Sequence, residues 1–400
     1  MRARILVCSV VVAGLACIAA PAQSQSFKLG SKDVQIHGSI QQGFAVSDDN
    51  NFLTMNTDAG SAEMTDSSLN ISSQITPKLR VGAQAYARKI GQIGKGQIQA
   101  DWAYADYRFA PWLGVRGGKM KTALGLFNDT QDMEFLYTWA LLPQGVYPAD
   151  LRAVTIAHVG ADVYGTVKGK KAGAFSYTGH YGTIPDDLHG GYRYGVTDAG
   201  YALQGPIETK GFGGDIRWAA PVDGLTAGYS LLSSRANTKV LIPVAPGYAI
   251  PVNVDVTGWR RHAMFADFQR GPVRLSAEVR KDHRAHEYSP QLVTNEDFQS
   301  LGWFASGAYR LSERVEVGSY YTYYVPDQNL DAAKAANHYR DAVASARFDV
   351  NRFWNVKVEG HFIDGYGQLS GSFARGFYRR DNTTPAARTN MFVVRTGITF

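Results

Sequence analysis

The sequence predicts an all-β fold, a transmembrane antiparallel β-barrel of sixteen strands, and three observations support it. Runs of about ten residues alternate between apolar and polar side chains and are joined in pairs by short turns. No run of about 18 apolar residues follows the N-terminal segment, which excludes a helical membrane protein. The chain ends on an alternating strand whose last residue is Phe400.

The N-terminal segment has the three-part layout of a secretory signal peptide. Two arginines among the first four residues precede a small and apolar run, and Ala20-Pro21-Ala22 offers a small-residue cleavage site. We therefore expect residues 1–22 to be cleaved and residues 23–400 to form one domain. Lipid attachment at Cys17 is an alternative, but the residues before it fit that pattern poorly. Both cysteines would leave with the signal, so the mature chain could cross an oxidising periplasm without forming disulfides.

Short turns divide the remaining chain into β-hairpins. Seven turn-like segments lie at residues 76–78, 110–112, 169–171, 220–224, 270–272, 311–314 and 349–352. They join fourteen strands, and one further strand at each end gives sixteen, an even number as the closure of a bacterial barrel requires. The expected strands are residues 34–46, 65–75, 79–89, 97–109, 113–123, 158–168, 172–181, 210–219, 225–234, 257–268, 273–283, 299–310, 315–324, 339–348, 354–363 and 389–400.

The connections between these hairpins are long and polar. Three examples are residues 182–209, 235–255 and 365–388. Outer-membrane barrels combine short periplasmic turns with long extracellular loops, so we expect these segments at the cell surface and both termini in the periplasm. Aromatic residues lie near strand ends, with Trp112, Trp218 and Tyr309 beside short turns and the tyrosines of 320–324 at the opposite end. That arrangement favours a membrane barrel over a soluble β-sandwich.

The composition excludes several other classes. The formal net charge of +6 comes from 41 basic and 35 acidic residues without any basic block, so it does not indicate a nucleic-acid partner. His283 and His286, beside Asp282 and Glu287, fit a solvated cluster better than a metal site, and we expect no metal and no cofactor. No Gly-x-Ser-x-Gly motif occurs, so we expect no enzyme, although a barrel hydrolase needs no linear motif.

The last strand carries a more specific signal. Phe392, Val394, Ile398 and Phe400 share one face, and Arg395 lies on the other. A terminal Phe after such a strand resembles the signature of Gram-negative outer-membrane barrels, where it marks the last strand for the barrel assembly machinery. With the export signal and sixteen strands, essentially the whole mature sequence resembles the Gram-negative porins.

One segment narrows the resemblance. Residues 114–131, GVRGGKMKTALGLFNDTQ, are similar to the strand-then-loop motif of the phosphate-selective porin O/P relatives. The phosphate-binding arginines and lysines of those relatives cannot be matched residue by residue here, so the resemblance does not imply phosphate selectivity. The chain also does not fit a TonB-dependent transporter, which has an N-terminal plug, or a fatty-acid channel, which has an N-terminal hatch, because its strands begin near Val34.

The resemblance implies a function and partners. It implies a water-filled channel in the outer membrane, in contact with lipid and lipopolysaccharide, that passes small hydrophilic solutes, ions or anions by passive diffusion. It further implies a homotrimer and a third extracellular loop, residues 125–157, folded into the lumen as a constriction. The alternative is an outer-membrane adhesin or structural anchor whose surface loops bind a partner.

Charged residues on the inward phase of the strands are the candidate working site. On the strand at residues 79–89, Leu79, Val81 and Ala83 suit lipid, which turns Arg80 and Arg88 inward. A charge facing lipid near the midplane would cost about 2 to 4 kcal/mol. This rule and the acids of the third loop give the pore-lining and constriction set: Arg80, Arg88, Asp101, Arg116, Asp129, Asp132, Glu134, Arg217, Arg274, Arg280, Arg310, Arg347, Lys357 and Arg395.

Two interpretations of this set are open. Among the inward wall positions, basic residues outnumber acidic ones ten to six, which predicts size exclusion with a weak anion preference. Alternatively, the charges pair with one another along the wall and only keep the interior wet.

Overall fold

The structure is a computed structural model that describes residues 25–30, 32–291, 294–367 and 375–400. The expected signal peptide, residues 1–22, lies outside the described residues. Within them the chain forms eighteen strands. These are β1 (Gln25–Leu29), β2 (Lys32–Ser47), β3 (Ser61–Gln74), β4 (Leu79–Ile90), β5 (Ile98–Ala110), β6 (Leu113–Lys121), β7 (Ala157–Gly169), β8 (Gly173–Ile184), β9 (Ala202–Leu203), β10 (Glu208–Ala219), β11 (Leu225–Ala245), β12 (Tyr248–Arg270), β13 (Val273–Ser289), β14 (Glu296–Arg310), β15 (Val315–Val325), β16 (Tyr339–Asn351), β17 (Trp354–Asp364) and β18 (Arg388–Thr399).

Sixteen of these strands close into one antiparallel barrel. Each pairs with its neighbour in sequence, β8 pairs with β10, and β18 pairs with β2 to complete the ring. The two short strands lie outside this ring, because β1 folds back on β2 and β9 adds two residues beside β11. The predicted fold class and strand number are therefore confirmed.

The two ends of the barrel differ, as the turn pattern predicted. All seven predicted short turns join strand pairs at one end, which we call the turn end. The opposite end, the loop end, carries the longer connections. These contain the 3₁₀ turns Asn128–Thr130, Glu134–Leu136, Ala149–Val154 and Ala335–Asn337 and one helix, α1 (Gly191–Asp198). Among the described residues no helix is long and apolar enough to span a bilayer.

One predicted loop is wrong. Residues 235–255 continue β11 and β12 as a hairpin that turns at Gly247, where φ is +76°. The segment contains Pro243, Pro246 and Pro251, yet its flanking residues alternate and pair in register, for example Val240 with Val252. The long β12 also extends its partner β13 to Ser289, six residues beyond the predicted end.

Side chains alternate between an apolar exterior and a polar interior, as expected for a membrane barrel. On β18, Phe392 is 45% exposed whereas Met391 and Arg395 are buried, which confirms the predicted phase of the last strand. The tyrosines at 320–324 are not all at the surface, because Tyr320 and Tyr324 face inward and are buried.

A glycine lies where the first and last barrel strands meet. Gly38 and Phe400 exchange two backbone hydrogen bonds of 3.0 Å. A Cβ atom on Gly38 would overlap the ring of Phe400, so only glycine fits beneath that ring.

Candidate functional site

The connection between β6 and β7, residues 122–156, is the third loop in chain order at the loop end. It leaves the barrel wall at Gly125, where φ is +70°. The Gly125 amide donates to Ser230 Oγ at 3.0 Å and the Leu126 amide to Glu278 Oε2 at 2.8 Å. A Cβ atom on Gly125 would overlap the Glu278 carboxylate, so this glycine lets the loop contact the inward face of β13.

The middle of the third loop is held by the far side of the barrel. Lys357 Nζ donates to the Trp139 carbonyl at 2.7 Å and to the Glu134 carbonyl at 2.5 Å. The Glu359 carboxylate accepts the Ala140 amide at 2.8 Å and the Leu141 amide at 3.1 Å. Charged groups that bond backbone in this way form strong hydrogen bonds, so the loop is fixed to β17 as well as to β13.

Apolar packing completes the attachment. Phe127, Tyr147 and Trp139 of the third loop pack with the inward Phe304 and Tyr320 in one buried cluster. Phe127 stacks on Phe304 with ring centroids 5.7 Å apart, and Trp139 meets Tyr320 edge-on at 5.2 Å. Aromatic pairs of this kind contribute roughly 0.5 to 1.5 kcal/mol beyond the area they bury.

One charge cluster joins the third loop to β4, β5 and β6. The Arg152 guanidinium binds Asp101 through two hydrogen bonds of 2.8 and 2.9 Å. Lys121 lies 3.7 Å from Asp101 and in direct contact with Asp132, which also accepts a 2.6 Å hydrogen bond from Gln84. The structure thus brings the predicted Asp101 and Asp132 together through Lys121, which the sequence set omitted.

A second cluster joins the third loop to β3 and β18. Arg395 is in direct contact with both Asp66 and Glu134, and Arg88 Nε lies 3.5 Å from Asp66. Lys357 Nζ is 3.9 Å from the Glu134 carboxylate. Burial raises the pKa of Glu134 to about 7, because the loss of hydration outweighs the attraction of Arg395 and Lys357.

A cavity of about 710 Å³ lies below the third loop at the turn end. Arg80, Arg116, Asp129 and Asp132 all line it. Arg116 Nε lies 3.4 Å from Asp106, and its guanidinium sits 4.1 Å from the centre of the Tyr164 ring. Arg80 donates to Ser72 Oγ at 3.0 Å and forms no ion pair with any residue in the described ranges.

The remaining predicted residues form pairs on the inner wall. The closest pairs are Arg217 with Asp215 at 2.5 Å, Arg274 with Asp267 at 3.1 Å, Arg280 with Glu278 at 3.4 Å, Arg310 with Asp349 at 2.5 Å and Arg347 with Asp349 at 2.8 Å. Arg217 also lies 3.9 Å from Asp129 of the third loop. Pairing along the wall therefore accounts for many of these charges.

The sequence set missed inward acids. Six further carboxylates bond inward residues: Asp66, Asp106, Asp162, Asp267, Asp341 and Asp349. The count of ten basic to six acidic wall residues is therefore incomplete, and the inner wall is closer to charge balance. The same alternation rule would have found Asp162 and Asp267. Asp106 escaped it because a register shift between Gln84 and Ala85 changes the phase of β5.

The histidine cluster considered from the sequence forms separate pairs. His283 Nε2 lies 2.7 Å from Asp297, and His286 Nδ1 lies 3.8 Å from Glu296. In the part of the chain that the structure describes, no group of three or more His, Cys, Asp or Glu side chains is placed to hold a metal ion.

Comparisons with known proteins bear on the fold. No family model and no curated protein sequence matches the chain. Among solved structures, OmpT of Vibrio cholerae expressed in the outer membrane superposes with a TM-score of 0.60 at 12% identity, over 94% of this chain and 100% of that one. A trimer form of OmpT gives 0.55 at 11%, over 93% and 100%.

Two further structures agree. The outer membrane channel DcaP of Acinetobacter baumannii superposes with a TM-score of 0.54 at 12% identity, over 94% of this chain and 99% of that one. The anion-selective porin from Comamonas acidovorans gives 0.56 at 11%, over 92% and 100%. Neither structure is described as a phosphate-selective porin, so that finer resemblance stays a prediction. The chain therefore has the closed β-barrel fold of the Gram-negative outer-membrane porins.

Proposed function

We propose that the protein is an outer-membrane channel for the passive diffusion of small hydrophilic solutes and ions. The observation that carries the proposal is a closed barrel with an apolar exterior, a charged interior and a large turn-end cavity beneath one loop. A water-filled pore selects solutes by its width and by the charges that line it. No catalytic step is needed for this function.

The constriction in this proposal is the third loop, residues 122–156, which the sequence placed at 125–157. Its attachments to β13 at Leu126 and to β17 at Trp139 lie on different strands across the barrel interior. The solute would then pass the residues left facing the turn-end cavity, above all Arg80, Arg116 and Asp129. We propose a weak anion preference, supported by Arg80, which forms no ion pair within the described ranges.

The cellular setting is part of the same proposal. The chain would be exported by a cleaved signal peptide and inserted by the barrel assembly machinery through Phe400. It would then assemble as a homotrimer among lipid and lipopolysaccharide, with the turn end in the periplasm. The trimer form solved for OmpT makes this assembly reasonable for a chain of the same fold.

Single-channel recording in planar bilayers tests the proposal. Purified protein should give stable, stepwise conductance. An electrically silent protein that still folds in detergent would contradict the channel and favour the adhesin or anchor. One observation favours that second candidate: β11 and β12, at 21 and 23 residues, are much longer than the other barrel strands and form a hairpin at the loop end.

A further inference from the structure

A small cavity at the loop end is surrounded by arginine. Its volume is about 50 Å³, and it lies between the third loop and the inner wall of β12 and β13. Four arginines line it, and they come from three parts of the chain: Arg261 from β12, Arg280 and Arg284 from β13, and Arg375 from the connection between β17 and β18.

Among the described residues, Asp282 is the only carboxylate in the lining of this cavity. Asp282 lines the cavity and lies 3.9 Å from Arg261 Nε. Glu278 pairs with Arg280 at 3.4 Å, but it also receives the Tyr147 hydroxyl and the Leu126 amide. The Asp150 carboxyl also interacts electrostatically with Arg375 but does not line the cavity, so the lining itself is predominantly cationic. Buried charges require neutralisation, so the site is suited to a negative partner.

Several hydrogen-bond donors around this cavity are unused. Arg261 Nη1, Arg280 Nε, Arg375 Nε and Trp259 Nε1 are buried without an acceptor among the described residues. Each of these four side chains is less than 10% exposed. A buried donor without an acceptor costs roughly 1 to 3 kcal/mol, and more when it is charged, so native structures leave few of them.

Aromatic rings hold the guanidinium groups in place. Arg261 lies 3.9 Å from the ring centre of Trp259, and Arg375 lies 3.5 Å from that of Tyr324. Arg280 lies 4.9 Å from the ring of Tyr147, and its Nη1 donates to the Val146 carbonyl at 2.8 Å. Because these contacts restrain the side chains, the free donors are already oriented before any ligand arrives.

We propose that this cavity binds a compact, doubly charged oxyanion of the sulfate or hydrogenphosphate class. A cavity needs about 10 to 15 Å³ for each water molecule, so 50 Å³ holds about four water-sized groups, close to the size of one tetrahedral oxyanion. Its negative charge would be complementary to the guanidinium groups that line the cavity. The oxygen atoms would accept the unused N–H groups of Arg261, Arg280, Arg375 and Trp259.

The bound anion would also join separate parts of the molecule. Arg375 belongs to a segment in which Tyr378 donates to Asp150 of the third loop at 2.7 Å and the buried Phe377 ring lies 5.2 Å from Phe52. An anion shared by Arg375 and Arg261 would therefore link this segment and the third loop to the barrel wall. The bound anion would stabilise the structure of the loop end, a role separate from the solute diffusion proposed above.

Isothermal titration of the folded, full-length mature protein in detergent tests the site. Sodium sulfate and, separately, sodium phosphate at pH 8 are titrated at constant ionic strength, with chloride as the balancing anion. We expect saturable binding of both dianions, and at least about tenfold weaker binding in R261Q and R375Q. The matched control is R340Q, because Arg340 pairs with Asp364 at 3.1 Å and does not line this cavity.

A milder variant covers the case in which an arginine variant does not fold. W259F keeps an aromatic ring beneath Arg261 and removes only the indole donor, so sulfate binding should weaken severalfold. Absence of saturable binding to the wild type, or equal binding by wild type, R375Q and W259F, would overturn the site. So would a loss in R340Q as large as that in R375Q. None of these readouts depends on conductance, so failure of the channel proposal would be seen separately.

Discussion

The two ends of the barrel interior differ in how much space they leave. The turn-end half holds a cavity of about 710 Å³, whereas the cavities beside the third loop and above it have volumes of about 40 to 50 Å³. In the part of the chain that the structure describes, the turns that join strands at the turn end are at most five residues long. At the loop end, the third loop, α1 and residues 375–387 fill the space. Resistance to a passing solute should therefore lie in the loops and not in the wall.

Charged side chains at the two ends also differ in their partners. Around the third loop, Arg152 and Arg395 form ion pairs with carboxylates, and Lys357 donates a hydrogen bond to a backbone carbonyl. In the turn-end cavity, Arg80 donates to the Ser72 hydroxyl and forms no ion pair within the described residues. Arg152, Arg395 and Lys357 thus hold the third loop in place, whereas Arg80 is left to act on solutes in the turn-end cavity.

Shortening the third loop should have the largest effect. Replacing residues 127–153 by a short Gly-Ser linker should raise single-channel conductance by about twofold or more, because the narrowest part of a pore dominates its resistance. The control is removal of the hairpin tip at residues 242–250, which lies beyond the paired ends of the neighbouring strands and should leave conductance unchanged. Equal conductance in the loop variant and the wild type would show that the third loop does not limit the flow of ions.

Gly125→Ala should destabilise the loop half. The change places a Cβ atom against Glu278 and strains a backbone with φ of +70°, at a cost of about 1 to 3 kcal/mol in the free energy of unfolding. Gly96→Ala is a matched control, since Gly96 also has φ of +70° but no atom within 4 Å of its added Cβ.

Denaturant unfolding of both variants in detergent measures the difference. A larger loss for Gly125→Ala than for Gly96→Ala isolates the contact with Glu278 from the backbone strain that both variants share. If the two variants lose the same stability, the close contact between Gly125 and Glu278 does not hold the third loop in place.

Replacing Arg80 and Arg116 by Ala should move ion selectivity toward cations, because both face the turn-end cavity. The reversal potential under a tenfold salt gradient should shift by several millivolts to tens of millivolts, on the order of RT/F. Arg310→Ala serves as the control, since Arg310 already lies 2.5 Å from Asp349 and 2.7 Å from Glu316. An unchanged potential in the double variant would remove Arg80 and Arg116 from the selectivity of the pore.

The smallest expected effect is a pH dependence centred on Glu134. Because burial raises its pKa to about 7, the Glu134 carboxylate should be charged at pH 8 and largely neutral at pH 6. Loss of this negative charge on acidification should shift selectivity slightly toward anions. Reversal potentials at the two pH values measure the shift, and Glu134→Gln should abolish it. A shift of the same size in Glu134→Gln would assign the titration to another group.

The sequence predicted the wall well because its signals are local. Each of the seven turns has turn-forming residues beside an alternating strand, and the phase of β18 follows from Phe392 and Arg395 alone. The extended β11–β12 hairpin was missed because Pro243 and Pro251 are unfavourable in most strands.

The interior contacts could not be predicted for a different reason. The ion pair of Arg152 with Asp101 joins residues 51 positions apart, and Arg395 meets Asp66 across 329 positions. Nothing in the local pattern around either arginine names its partner. Such contacts depend on the path of the third loop through the barrel, which alternation along single strands does not encode.

The contact between Gly38 and Phe400 bears on where the barrel seam opens. Phe400 adds two backbone hydrogen bonds and a ring over Gly38 to a ladder in which β18 pairs with β2 from Met391 to Thr399. Removal of Phe400 would leave that ladder in register but expose its last rung to water at the turn end, so fraying of the cylinder should start there.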